Sequence, residues 1–301
     1  MCWMSEIVVG RVPHGAQEKE KRQSRLREIW RRLKVNKGAV AGLILILMLT
    51  VIAIFAPQLA PYDPNKMNAG PRLAPPSINY PMGTDSFGRD QLSRIIYGSR
   101  ISLYVGFIAV GIGAVCGGLI GAIAGFYGGR IDNVLMRFMD VLLAVPQTIL
   151  AIAIVGSLGA NLLNLMIAVG VGQIPRYARI VRASALSVRG QEFVEAARAI
   201  GASDLRIILE NILPNCMAPI IVQSTLGVAS AILSAAALSF LGLGIQPPTA
   251  EWGSMLSLGR QYMRNAPHLT FFPGLLIAVV VVALNMFGDG LRDALDPKLR
   301  Q

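Results

Sequence analysis

Charge is scarce in this sequence. Asp, Glu, Lys and Arg make up 15% of its 301 residues, against roughly 25% in an ordinary soluble domain. Five stretches carry none of the four: 38–62, 101–129, 141–175, 211–250 and 265–288. Each exceeds the roughly 20 apolar residues that a helix needs to cross a bilayer. These runs exclude a soluble enzyme and a disordered chain. Cysteine is also rare. Cys2, Cys116 and Cys216 are scattered and odd in number, so no disulfide framework is implied. The two histidines, His14 and His268, show no metal-ligand spacing with them. No grouped acid and base residues suggest a membrane enzyme. No G-x-x-x-x-G-K-[ST] stretch exists, so the chain has no phosphate-cradling loop of that kind and is not itself an ATPase. The first 38 residues are polar, and no cleavable signal peptide is expected. What remains is an all-α polytopic membrane protein.

Six spans are expected, at about 39–58, 101–126, 133–155, 160–176, within 217–241 and within 270–288. The net charge of +11 reflects basic residues beside these spans rather than nucleic-acid binding. With the N-terminus inside, 21 Lys and Arg fall on the cytoplasmic side and 7 outside. That bias places both termini in the cytoplasm. The chain then divides into a cytoplasmic tail (1–38), a first span with its outer loop (39–100), a five-helix core (101–290) and a second cytoplasmic tail (291–301). Glycines at 113, 117, 121, 125 and 129 share one helix face. Such a stripe permits close helix approach, either within one bundle or to another subunit.

Three regions lie outside the bilayer. In 16–37, Leu26, Ile29, Trp30 and Leu33 form an apolar face among basic residues, as in a helix lying on an anionic lipid surface or binding a partner. In 59–100, Asp85 with Arg89 and Asp90 with Arg94 have the spacing to pair along a helix. This segment shapes the outer rim or contacts an external protein. In 175–215, a helix is expected to end at Gly201 in the left-handed conformation, and a second to start from a Ser203 cap and stop at Pro214. Its apolar residues Phe193, Ala196, Ala197, Ile200, Leu205, Ile208 and Leu209 exceed what an exposed loop needs. Docking into a cleft and folding back on the bundle both explain them.

The stretch EAARAIGASDLRIILENILPN resembles the EAA loop of ABC-importer membrane subunits. Glu195, Ala196, Ala197, Gly201, Leu213 and Pro214 fall in register, with Asn211 replacing the usual Ile and Ile212 following it. MGTDSFGRDQLSRIIYGSRISL, FLGLGIQPPTAEWGSML and LNMFGDGLRDALDPKLR look like the dipeptide, oligopeptide and nickel branch, with Ala250 where that branch often has Pro. The extended N-terminal segment resembles the C-type permease of these systems. The resemblance implies a type I importer permease with six helices and a coupling loop at 191–214. Within it Glu195, Ala196, Ala197, Arg198, Gly201, Ala202, Asp204 and Pro214 would meet a cytoplasmic ATPase. It further implies a second, unlike permease, two ATPase subunits carrying ATP and Mg, an extracytoplasmic substrate-binding protein and a prokaryotic inner membrane. No cofactor is expected on this chain. The solute would be a peptide or a nickel complex, carried by alternating access.

Charges inside spans are costly and normally paired. Arg137 is expected to pair with Asp140 or Asp132 in the third span, and Pro146 to kink that helix. Asp140, Gln147, Gln223 and Asn285 are candidates for the translocation path. Interhelical hydrogen bonding explains such uncharged polar residues equally well, Gln173 among them. The competing reading is a carrier or channel driven by an ion gradient, which would need functional charges deep in several spans.

Overall fold

The computed structural model describes residues 27–295. Among them there is no strand, only an isolated bridge between Thr84 and Asp90. Helix α1 (27–35) leads into α2 (Lys37–Ile54), whose N-terminus is capped by the Asn36 side chain accepting from Ala39 N at 3.1 Å. Leu33 of α1 is buried with Ala39 and Ala294, and Ile29 packs on the same cluster. Half-exposed Trp30 faces outward under the Lys34 ammonium. The expected amphipathic helix therefore spends part of its apolar face on its own bundle; Leu26 and residues 16–26 lie outside the described residues.

After the short α3 (Ala56–Leu59) and the irregular segment 60–90, α4 (Gln91–Ile112) passes through a π-helical stretch, Gly113–Gly117, into α5 (Gly118–Tyr127). The result is a 37-residue apolar rod. Its glycine stripe packs within the chain. A Cβ on Gly117 would stand 2.4 Å from the Ile174 carbonyl oxygen, and one on Gly121 2.3 Å from that of Ala178. Backbone-to-backbone approach of α5 to α8 (Leu162–Val188) needs both glycines. Gly129 is the exception, for it opens the next helix at φ 54° with open space around it.

The third expected span is broken. Helices α6 (Gly129–Ala144) and α7 (Gln147–Leu158) meet at an 87° bend. Pro146 lacks the N–H that would continue the ladder and forces the preceding residue out of the helical region. The fourth helix runs far past its expected end, to Val188, carrying Arg176, Arg179 and Arg182 in helix rather than in loop. Two of these arginines take the carboxylates of α6. Arg182 pairs with Asp132 at 2.5 Å and Arg179 with Asp140 at 2.7 Å. The expected intrahelical pairing of Arg137 is therefore replaced by contacts between helices, which an antiparallel neighbour places within reach.

The chain then passes α9 (Glu192–Ala199), α10 (Asp204–Ile207), a π-helical turn Ile208–Ile212 and α11 (Leu213–Asn215) into α12 (Met217–Phe240). The short α13 (Trp252–Gly259) follows, and α14 (His268–Leu295) closes the described residues. Helices α4, α8 and α12 share the main core, including Val105, Ala109, Leu165, Val169, Val228 and Ile232. Interhelical bonds tie the same helices: Gln173 Nε2 donates to Ser230 Oγ at 3.0 Å and Tyr177 OH to Ser224 Oγ at 3.1 Å. Among the described residues four helices are long and apolar enough to cross a membrane, five if the bent pair is one span. Helix α8 falls outside that set because its apolar run stops at Arg176, short of the roughly 20 residues a span needs.

Candidate functional site

The segment between α8 and α12 is the most two-sided part of the molecule. Val194, Ile207, Ile208, Ile212 and Cys216 are buried against Ala122 and Phe126 of α5 and Val181, Ala185 and Val188 of α8. Each such side chain stabilises the folded arrangement by about 1.5–3 kcal/mol relative to exposure. Burial also pushes the Cys216 thiol up to about 11. The other side is uncovered. Ile200 is 85% exposed and Leu205 66%, with Phe193 and Leu209 exposed beside them. Sequence periodicity could not separate these sets, because a three-helix zigzag has no single face. Of the apolar residues for which docking and folding back were both open, Ile208 folds back into the buried set.

The zigzag has a local cause. At the end of α9, Ala202 N donates to Ala197 O at 3.1 Å and Gly201 N to Arg198 O at 2.9 Å. These are the paired bonds of a Schellman stop, and Gly201 takes the φ of +81° that the stop requires. Ser203 stands at the start of α10, as expected, but its hydroxyl makes no capping bond. Asp204 in that first turn supplies the negative charge that a helix N-terminus favours. Pro214 does not stop the helix. It falls in the first turn of α11, where a missing N–H costs little, and the widened turn before it accommodates the ring.

Of the expected contact residues, Glu195, Ala196, Arg198, Gly201, Asp204 and Pro214 are exposed, and Ala197 and Ala202 are half-buried. The Arg198 guanidinium lies 4.9 Å over the Phe126 ring, which fixes α9 against α5. Arg206 and Glu210 pair at 2.9 Å on the exposed side, and that bond raises the arginine's pKa.

The four expected path residues do not meet in one place. Asp140 is engaged by Arg179, Gln147 lies against Gly172, and Asn285 is exposed on α14. Gln223 alone lines a cavity of about 500 Å³ between the C-terminal part of α8, the N-terminal part of α12 and the end of α14, with Asn215, Val222, Leu226 and Arg292. Its buried Nε2 has no hydrogen-bond partner there, and neither does that of Gln147 in its own setting. Among the described residues no group of His, Cys, Asp or Glu could hold a metal ion.

Known proteins match this arrangement along its length. Residues 117–301 match the family described as binding-protein-dependent transport system inner membrane component. Residues 24–76 match the N-terminal TM domain of oligopeptide transport permease C. A di/tripeptide transport system permease of Pseudomonas aeruginosa is 47% identical, over 92% of this chain and 93% of its own. A dipeptide permease of Alkalihalophilus pseudofirmus is 51% identical, over 91% and 90%. A glutathione permease of Escherichia coli is 47% identical, over 91% and 90%. In three dimensions the chain resembles the inward-facing MetNI methionine ABC transporter, with a TM-score of 0.54 at 19% identity, covering 67% of this chain and 96% of that one. The chain therefore belongs to the inner membrane components of binding-protein-dependent transport systems, as a multi-pass permease subunit of an ABC importer with the type I permease fold.

Proposed function

We propose that this permease forms half of the path by which an ATP-driven importer brings small peptides into the cell. The relatives named for di- and tripeptide, dipeptide and glutathione transport support that solute class. Six helices cross the membrane in this reading. Helix α8 spans with its basic end in the inner headgroup layer, and the α6–α7 pair forms a bent span. Both termini are cytoplasmic, and the basic face of α1 lies near anionic lipid.

The observation that carries the mechanism is the uncovered side of 192–212. Phe193, Ile200, Leu205 and Leu209 are exposed while the opposite side is anchored to α5 and α8. An exposed apolar side on a firmly seated element is what a protein partner covers. The partner in this reading is one of two cytoplasmic ATPase subunits, which hold ATP and Mg; this chain carries no cofactor. Glu195, Ala196, Ala197, Arg198, Gly201, Ala202, Asp204 and Pro214 make or shape the contact. Movement of that ATPase is passed through Val194, Ile207 and Ile212 to α5 and α8. A second, unlike permease completes the path, to which Gln223 and its cavity contribute on this side. The buried Gln223 amide without a partner suits a polar group of a passing peptide.

The test is transport by the assembled complex in vesicles. Uptake should depend on ATP and on the binding protein, and persist after collapse of proton and sodium gradients. Glu195→Arg should lower uptake per ATP hydrolysed at unchanged membrane insertion. Gradient-dependent, ATP-independent uptake would contradict the proposal.

A further inference from the structure

The outer segment 60–90 spends its carboxylates internally. Asp85 accepts from the backbone N of Phe87 and Arg89 and from Arg89 Nε, at 2.8, 3.0 and 2.6 Å. Asp90 caps α4 by accepting from Ser93 N and Oγ at 2.7 and 2.6 Å. Glu251, in the outer turn that packs beside it, caps α13 through Gly253 N and Ser254 N at 2.7 and 2.8 Å. All three are buried. Across 60–100 and 242–267 Asp63 is then the one exposed carboxylate, whereas Lys66, Arg72, Arg100, Arg260 and Arg264 are exposed. The sequence gives these regions four acids against seven bases; the surface shows one against five.

The segment is also stiff. Asn68 N donates to Phe87 O, Gly70 N to Gly88 O, Leu73 N to Asp85 O and Thr84 N to Ala74 O, all within 3.1 Å. Tyr62 and Tyr80 stack at 5.4 Å. Asn68 and Leu73 are held at φ of 54° and 55°, and no other non-glycine residue among those described has positive φ. Such backbone persists only where its surroundings fix it. On this frame the turn 77–80 is closed by Ser77 N donating to Tyr80 O and Tyr80 N to Ser77 Oγ. It holds up Ile78, which is 99% exposed.

We infer that this platform docks an acidic face of the extracytoplasmic substrate-binding protein, with Ile78 as apolar anchor and Lys66 and Arg72 in a cationic rim. The inference rests on the importer reading above and assigns the partner's contact to a named segment. A rigid, strained backbone holding up one side chain suits a shaped partner. A lipid surface needs only charge and apolar area, and a flexible loop would serve it. Cationic rims steer an acidic partner and weaken with salt.

The experiment uses the whole transporter in nanodiscs, with its binding protein titrated and ATPase activity read. The binding-protein concentration giving half-maximal stimulation should rise about tenfold in Lys66→Glu/Arg72→Glu and in Ile78→Asp. Basal ATPase and the stimulated rate at saturation should stay at the wild-type level. Raising salt should weaken the wild type but hardly affect the double charge variant. Variants that titrate like the wild type would overturn the assignment and leave the importer reading intact. Variants that lose affinity only for anionic-lipid vesicles would overturn it in favour of a membrane contact. A wild-type complex that no binding protein stimulates would instead contradict the importer reading itself.

Discussion

The two large polar regions of this permease solve opposite problems. The segment 60–90 turns Asp85 and Asp90 inward. Asp85 and Asp90 are buried, and Arg89 and Arg94 with them are nearly inaccessible. The element 192–212 leaves its ionisable groups exposed: Glu192, Glu195, Asp204 and Glu210 with Arg198 and Arg206. Its grip on the bundle is apolar, through Val194, Ile207 and Ile212. A region held by buried ions is stiff but intolerant, because losing either partner strands a charge. A region held by a greasy underside can rock as a unit while its upper side stays free to be covered. In the importer mechanism proposed above, that difference suits a fixed platform on one side and a moving lever on the other.

Four substitutions probe this contrast, in falling order of effect. Asp85→Ala removes the acceptor of three hydrogen bonds, two of them buried, and leaves Arg89 uncompensated. It should cost about 3–5 kcal/mol, read as a lowered unfolding temperature in detergent. Ile207→Ala empties a site on the underside of the lever and should cost about 2–4 kcal/mol in the same assay. Gly201→Val places a branched side chain at φ +81° and should cost roughly 1–2 kcal/mol. Uptake per ATP should fall in this variant more than stability does. Ile200→Ser, 85% exposed, should stay within about 0.5 kcal/mol of the wild type yet lower uptake. Equal stability losses at 200 and 207 would erase the distinction between the two sides of the lever.

Much of the fold was legible in the charge-free runs, because a bilayer makes apolar length the main constraint on a span. The glycine stripe was legible as a close-packing face, and only the structure shows that α8 fills it. Breaks and extensions were not legible. Pro146 announced a kink but not an 87° turn, and nothing in the Arg176–Arg182 stretch shows whether it continues a helix or opens a loop. The expected Asp90–Arg94 pair failed because Asp90 satisfies the orphan N–H groups of α4, while Arg94 donates to the carbonyls of Pro64 and Pro248 at 2.9 and 3.2 Å. Those two carbonyls are 30 and 154 residues away in sequence. In the lever, Gly201 was correctly placed by the Schellman stop, which depends only on local sequence. The buried and exposed sets depended on where α5 and α8 lie, which is tertiary information.

The most direct test of the lever is site-specific crosslinking in native membranes. Single cysteines at 200, 205 and 207 would be introduced in a chain lacking Cys2 and Cys116, with Cys216 retained because it is buried, and the chain without an added cysteine would serve as control. The account predicts adducts with an ATPase subunit from positions 200 and 205, weakened when nucleotide state changes, and none from buried position 207. An assembled complex giving no ATPase adduct at 200 or 205, or giving it equally at 207, would contradict it.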